Sequence, residues 1–541
     1  MNRTVTTTDL STAKEAAAGG TSTEGAGTEG ATAHGSDLCF WTATELAAAI
    51  RRREVSAREV VTAHLERIER ANPEVNAVVS LVADQALERA AEADERLASG
   101  AETGPLHGLP VAHKDLHDTA GIRTTYGSPV FADRVPDRDH LVVERLRGAG
   151  AITIGKTNVP ELGMGSHTVN PVFGATRNPY DLSRSAGGSS GGAGAALACG
   201  MQPLADGSDT GGSLRNPASF NNVVGLRPSP GRVPSWPDKA PWGQLSVKGP
   251  MARTVADVAL ALSVLAGPDP RDPRALETPG SAFAGGLESD VRGLRVAWSP
   301  DLGGAVPVDA EVRDVLRPAV EVFAGLGCEV EEACPDLSGA DDVFLIQRAW
   351  QMELAYGPLL EEHRHRMSRD VVWNIEQGWG LSGPDLGLAQ LEQAALFHRV
   401  REFFETYDLL LLPVSQVAPF DIRLPYPASV DGTPMETYLD WMRSAYLISV
   451  TGCPALSVPA GFTAQGLPVG LQVVGPHRAD WDVLRAGYAF EQATRFGERR
   501  PSAAVLEGRA SLGGRASLGG RASLEGRTSP EGRTSPEGNL S

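Results

Sequence analysis

The sequence predicts an α/β fold, and three observations carry that prediction. From Gly108 onward, short apolar runs of strand length alternate with helix-length segments. Residues 294–331 read as one complete strand–helix–strand unit. The stretch Ser185–Phe220, SAGGSSGGAGAALACGMQPLADGSDTGGSLRNPASF, sets a small-residue helix between two glycine-rich serine turns. Glycines gather where the backbone takes left-handed or closely approaching conformations that other residues avoid.

In chain order, residues 1–36 are Thr, Ala, Gly, Ser and Glu without periodicity and read as a disordered extension. Thr42-Ala-Thr-Glu45 and Ser56-Ala-Arg-Glu59 are capping boxes that open two amphipathic helices, the second expected to end at Asn72-Pro73. Asn76–Val82 is a short strand and Ala83–Ser99 a third helix. Leu109-Pro-Val-Ala-His-Lys114-Asp115 is a buried strand that ends in two charges. His140–Arg147 is helical, Ala151–Ile154 a strand, Ser190–Cys199 a helix, and Gly249–Ala266 a further helix. Pro268–Asp290 is rich in Pro, Gly and Asp and reads as a loop. Leu294–Trp298, Asp309–Ala324 and Cys328–Glu331 form the strand–helix–strand unit, and residues 340–406 are mostly helical. Leu409–Pro413, Ala455–Val458 and Val469–Val474 are strands, and Asp480–Thr494 is a helix. After Glu507 the hexads GRASLG, GRASLG, GRASLE, GRTSPE and GRTSPE are too polar to stack as a β-helix, so 507–541 reads as a low-complexity tail. The expected folded unit is therefore 37–506.

Composition narrows the function. An apolar content of 41% supports a sizeable core, while the net charge of −18 argues against nucleic-acid binding. Five scattered cysteines lack metal spacing and fit a reducing cytoplasm better than secretion. No run reaches the about 18 apolar residues of a membrane span.

Four motifs are weighed as chemistry and set aside. Gly150–Thr157 fits the phosphate-loop formula GxxxxGK[ST], but its intervening Ala-Ile-Thr-Ile is itself strand-like. Gly187-Gly-Ser189-Ser-Gly191 fits the nucleophile-elbow formula, yet the preceding Asn178–Ser185 reads as loop rather than strand. His363 and His365 lie in a charged helical run that reads as a solvated face. Cys199 ends an Ala-rich helix and reads as a small core residue.

Lysine usage is more informative. Of 49 lysines and arginines only five are lysines: Lys14, Lys114, Lys156, Lys239 and Lys248. A buried lysine can lose its proton and act as a base, which arginine cannot. Lys114, at the end of an apolar strand, is the candidate. A salt bridge to Asp115 or another acid explains it equally well from the sequence.

Taken together, these residues resemble the amidase signature family. The likeness runs from about Thr42 to Thr494. It rests on Gly108–Asp115, Gly155–Glu161, Phe173–Tyr180, Ser185–Gly192, Gly207–Arg215, Gly225–Val233, Gly249–Asp257 and Gly452–Gly461. The resemblance implies a Ser–cis-Ser–Lys triad, with Ser213 as nucleophile, Ser189 as bridging serine and Lys114 as base. It implies a cis Gly188–Ser189 peptide bond, which costs about 3–4 kcal/mol in a non-proline residue. The backbone N–H groups of Thr210, Gly211, Gly212 and Ser213 would hold the oxyanion. Ser190, Asp209 and Arg215 are supporting residues. Ala186 and His113 depart from common family variants; His113 reads as a satisfied strand histidine.

The implied fold is a single α/β/α domain whose mixed twisted sheet of about ten strands is covered by helices. The implied activity is hydrolysis of a carboxylic amide through a serine acyl-enzyme, without metal or cofactor. The partner expected is a small-molecule amide, with a homodimer left open, and neither nucleic acid nor membrane. The aromatics of Asp341–Tyr407 and Phe420–Tyr438 would suit an apolar or aryl acyl group. Two alternatives stand beside this reading: the glutaminase (A-type) component of a tRNA-dependent amidotransferase, and a non-catalytic binding homologue.

Overall fold

The computed structural model describes residues 38–510. The expectations for the N-terminal extension, and for the hexad repeats from residue 511 on, lie outside the described residues. Two helices, α1 (Ala43–Arg51) and α2 (Ala57–Val75), each start at a complete capping box, with Thr42 and Ser56 accepting from the amides of Glu45 and Glu59. Contrary to expectation, α2 does not stop at Pro73. Proline lacks only one donor, so the last turn continues to Val75 and ends on Asn76 in the left-handed region.

Strands β1 (Val78–Leu81), β2 (Pro110–Lys114) and β3 (Ile152–Thr157) form a small sheet in the order β1-β3-β2. Helices α3 (Ala83–Ala98) and α4 (Leu141–Gly148) connect them. Beyond α5 (Gly191–Ala198) come β4 (Leu204–Asp209), α6 (Arg215–Phe220), β5 (Val224–Arg227), β6 (Val247–Ala252) and α7 (Val255–Leu265). The single helix expected over Gly249–Ala266 is thus a strand followed by a helix. Residues 247–252 pair antiparallel with β4 and β5, and Thr254 caps the helix that follows.

Beyond these, apart from short two-stranded ribbons and 3-10 turns, come β7 (Arg295–Trp298), α8 (Ala310–Gly325), β8 (Glu329–Glu332), the helices α9 (Ala340–His363), α10 (Arg369–Glu376) and α11 (Gly383–Thr406), β9 (Leu409–Pro413), α12 (Arg443–Ser449), β10 (Ala455–Phe462), β11 (Pro468–Val474), α13 (Asp480–Thr494) and α14 (Ala503–Leu506). The main sheet has eight strands in the order β8-β7-β9-β11-β10-β5-β6-β4. Pairing is parallel where β7 meets β8 and β9 and antiparallel elsewhere, which gives the mixed sheet expected. β9, β10 and β11 are buried along nearly their whole length, so helices cover both faces.

The strands do not form one continuous sheet. β2 lies beside β4, but side chains join them where a backbone ladder would run. Gln202 Oε1 accepts from the Ala112 amide at 2.7 Å, and Asp206 Oδ1 accepts from the Lys114 amide at 3.0 Å. The candidate base sits at this seam. The packed chain also passes the boundary drawn at residue 506. Arg67 donates to the Leu506 carbonyl, the Arg509 amide donates to Ala504, and Glu507 lies near Arg67 and Arg70.

Candidate active site

Lys114 is the last residue of β2 and is fully buried. Its Nζ donates to Ser189 Oγ and Ser190 Oγ at 2.8 Å each and to Ser208 Oγ at 3.0 Å, with the Ser208 carbonyl at 3.4 Å. No carboxylate is among these partners. Asp115, the alternative salt-bridge partner, instead accepts from the Thr125 hydroxyl at 2.6 Å. Burial lowers the Lys114 pKa to about 7, and the charge of Lys248 adds to the effect; Asp209 and Asp206 pull the other way. An amine surrounded by hydroxyls rather than carboxylates can be neutral near pH 7 and take a proton.

Ser189 and Ser190 lie in the turn that starts α5, and the Gly188–Ser189 peptide bond is cis. The turn is held from outside: Ser166 Oγ donates to the Gly188 carbonyl at 2.9 Å and Thr168 Oγ1 to the Gly187 carbonyl at 2.7 Å. Helix α5 consists of small residues because it presses against other backbone. A Cβ on Gly192 would stand 2.3 Å from the Asn158 amide nitrogen. The segment before the turn is a correction to the sequence reading. Asp181–Ser185 is a strand, but in a two-stranded ribbon with Arg177–Asn178 and outside the main sheet.

Ser213 sits in the loop between β4 and α6 and is only 7% exposed. The Ser190 amide donates to the Ser213 carbonyl at 3.2 Å, which ties the two serine turns together. Among the described residues, Ser213 Oγ makes no hydrogen bond. Asp209 shapes this loop by accepting from the amides of Gly212 at 2.9 Å and Leu214 at 3.1 Å. Arg215 and Arg227 clamp the same carboxylate, at 2.9 and 3.1 Å. Burial would raise the Asp209 pKa, but the two guanidinium charges outweigh it and hold the carboxyl well below its usual range. Arg215 also reaches the Ala445 carbonyl, Gln472 and Ser449, fastening the loop to α12 and β11.

One expected oxyanion donor is therefore already committed: the Gly212 N–H points at Asp209. Gly212 serves by its φ of +111° and by lacking a Cβ, which would stand 2.6 Å from Ala445 Cβ. Among the described residues, the amides of Thr210, Gly211 and Ser213 have no backbone or side-chain partner.

The loop opens on a cavity of about 670 Å³ that Thr210 lines. Tyr126 and Phe131 form part of its wall, with Met352, Tyr356 and Leu359 from α9.

The sequence pointed at Lys114, Ser189, Ser190, Asp209, Ser213 and Arg215, and the fold brings all six together. It gave no sign of Asp206, Ser208 or Arg227. Asp206 is fully buried and accepts from His113 Nδ1 at 2.5 Å and His117 Nδ1 at 2.6 Å as well as from the Lys114 amide. His113 is thus the satisfied strand histidine expected. Burial works against the charge on Asp206, but His113, then the hydrogen bonds from His113 and His117, hold its carboxyl well below the usual range.

The set-aside motifs resolve as structure. β3 runs straight through Lys156, so no phosphate loop exists there. Lys156 Nζ is buried and donates to the His117 carbonyl at 2.5 Å and to Thr119 Oγ1 at 2.6 Å. His363 ends α9, and among the described residues its one ion-pair contact is Glu362, at 3.7 Å. Cys199 is fully buried, and burial pushes its thiol up to about 12.

Comparison with known proteins adds independent findings. The family model Amidase matches residues 59–484. An acylamidase of Rhodococcus erythropolis is 38% identical over 474 residues, covering 87% of this chain and 99% of that protein. The A-type component of a glutamyl-tRNA(Gln) amidotransferase from Moorella thermoacetica is 38% identical over 493 residues, covering 87% and 100%. Among solved structures, a bacterial aryl acylamidase superposes with a TM-score of 0.80 at 32% identity, covering 88% of this chain and 100% of that one. A 6-aminohexanoate cyclic dimer hydrolase superposes with a TM-score of 0.77 at 28% identity, covering 86% and 99%.

Proposed function

The chain belongs to the amidase signature family and hydrolyses a carboxylic amide to an acid and ammonia or an amine; from that premise we propose that it works through an acyl-enzyme on Ser213. The observation that carries the mechanism is the buried contact of Lys114 Nζ with Ser189 Oγ at 2.8 Å, beside a serine turn tied to the Ser213 loop. Ser213 Oγ attacks the amide carbonyl. Its proton passes to Ser189 Oγ, whose own proton passes to neutral Lys114, since a hydroxyl can donate and accept at once. The amides of Thr210, Gly211 and Ser213 receive the oxyanion. When the tetrahedral adduct collapses, Lys114 returns the proton through Ser189 to the leaving amine. Water then adds to the acyl-Ser213 ester, gives its proton to the same relay, and releases the acid and the Ser213 hydroxyl.

The aromatic and aliphatic walls of the cavity support an acyl or amine portion with an apolar or aryl skeleton. Labelling with a fluorophosphonate, followed by peptide mass spectrometry, tests the assignment: the adduct belongs on Ser213. An adduct on Ser189 that persists in Ser213→Ala would defeat it. A second reading, a glutaminase working within an amidotransferase, is favoured by the full-length match to the Moorella protein. Glutamine-dependent ammonia release that requires added partner subunits would select it.

A further inference from the structure

We propose that the cavity beside Ser213 selects amides that carry a carboxylate on their acyl or amine portion, and that Lys248 recognises this group. The inference rests on Ser213 being the nucleophile, and it names the substrate class of that same site.

Placement comes first. Lys248 lies on β6 directly opposite Ser208 of the antiparallel strand β4. Opposed residues of such a pair direct their side chains to one face of the sheet. The Ser208 hydroxyl touches Lys114 Nζ, so Lys248 faces the side on which the candidate base lies. It also lines the cavity that meets the Ser213 loop at Thr210.

Pairing is the second observation. Three lysine or arginine side chains line the cavity, and two of them are occupied. Arg134 makes a two-point pair with Asp118 at 2.6 Å for both contacts, and Lys239 donates to the Ala355 carbonyl at 2.6 Å. Among the described residues, the Lys248 ammonium has neither a hydrogen bond nor an ion pair. Asp238 is the single acid of the lining, in a chain whose net charge is −18.

The cost of this arrangement points to a ligand. A half-buried ammonium without a partner is unfavourable, and this one stands close enough to Lys114 to weaken its hold on a proton. Burial lowers the pKa of Lys248 as well. Asp238, the nearby Asp272, Arg274, Lys239 and the buried His117 and His140 are the other charged and titratable groups around it. An apolar residue in that place would avoid the cost. A carboxylate bound at Lys248 offsets it, while Tyr126, Phe131 and Tyr356 cover the carbon skeleton.

Two matched pairs of substrates test the proposal: glutaryl against pentanoyl 4-nitroanilide, and 4-acetamidobenzoate against acetanilide. In the wild type, kcat/KM for the charged member of at least one pair exceeds that of its neutral partner by about tenfold or more, mainly through KM. Lys248→Met lowers that charged-to-neutral ratio by about 10–100-fold, the scale of one hydrogen bond between charged groups. Lys248→Arg restores most of it. A ratio near one in the wild type, or one that Lys248→Met leaves unchanged, overturns the inference. Loss of the Lys248 charge beside Lys114 shifts both members alike along the pH axis; that common shift with an unchanged charged-to-neutral ratio overturns the inference, because Lys248 would then act on Lys114 and not on substrate. A measurement on wild-type enzyme alone guards against a variant that does not fold. Competitive inhibition by 4-phenylbutyrate, stronger by about tenfold than by 4-phenylbutanol, supports the site; equal inhibition rejects it. If neither member of any pair is hydrolysed and no serine is labelled, the mechanism itself fails instead.

Discussion

Lys114 makes two predictions from one number. An ordinary lysine with a pKa near 10.5 is neutral in only about 3 molecules in 10,000 at pH 7. Burial brings Lys114 to about 7, so about half of the molecules hold it neutral at pH 7, the form the proposed mechanism requires. kcat/KM is therefore expected to follow deprotonation of a single group, falling about tenfold per pH unit below about 7, hence about 100-fold by pH 5. Lys114→Arg, which keeps the charge but cannot lose it, should be inactive across the range.

The same shift fixes the sign of a stability effect. Between pH 7 and 10.5 the unfolded chain holds a proton on Lys114 that the folded chain has released, so this group makes stability rise with pH across that window. Below pH 7 its penalty is fully present. At 1.36 kcal/mol per unit, the whole span is worth about 5 kcal/mol. Lys114→Met should thus lose at least 100-fold in activity while its urea midpoint changes less between pH 7 and 10 than that of the wild type. A 4-nitroanilide assay from pH 4.5 to 9 and paired urea titrations read both effects. A flat acid limb, an active Lys114→Arg, or an identical pH slope in Lys114→Met would refute the reasoning.

Other substitutions separate catalysis from support. Ser213→Ala should fall to background with no acyl-enzyme in a burst assay. Ser189→Ala should lose about 100-fold or more yet stay measurable, and adding it to Lys114→Ala should cost little further, because residues acting as a unit do not add. Asp206→Ala leaves the Lys114 amide and two histidines without an acceptor, so chemical denaturation should show a loss of about 3–5 kcal/mol. Gly192→Ala drives a methyl group into the Asn158 backbone and should cost about 1–3 kcal/mol or more by the same measurement. Lys156→Ala should lower the melting temperature while the folded enzyme still accepts a fluorophosphonate on Ser213, since Lys156 fastens residues 117–124 and touches no serine of the site.

How far the sequence revealed this arrangement depends on the range of the interaction that fixes each part. Capping boxes, glycine turns and the strand–helix–strand unit at 294–331 are set by neighbours a few residues apart, and these were legible. The strand at 247–252 was not, because Lys248 and Gly249-Pro250 break its apolar pattern, and only pairing with β4 and β5 makes it extended. The site divides in the same way. Ser189 and Ser213 stand out because glycines flank them, and Lys114 because lysine is rare in this chain. Asp206 carries no local mark: its partners are 89 to 93 residues away, across the seam between the two sheets. That seam explains why the proposed base, Lys114, can sit where it does. A continuous backbone ladder from β2 to β4 would engage the Lys114 amide with another backbone group. Here the Asp206 carboxylate takes that amide and two imidazoles, which supplies negative charge near the lysine without touching its Nζ. The amine is left to the three hydroxyls, with carboxylate close enough to temper the loss of solvent and too far to hold the proton. Direct contact with Asp206 would favour the ammonium form, and removing the acid would push the pKa below about 7. Burial thus sets the low proton affinity that the proposed mechanism needs, and the carboxylates of Asp209 and Asp206 moderate it from a distance.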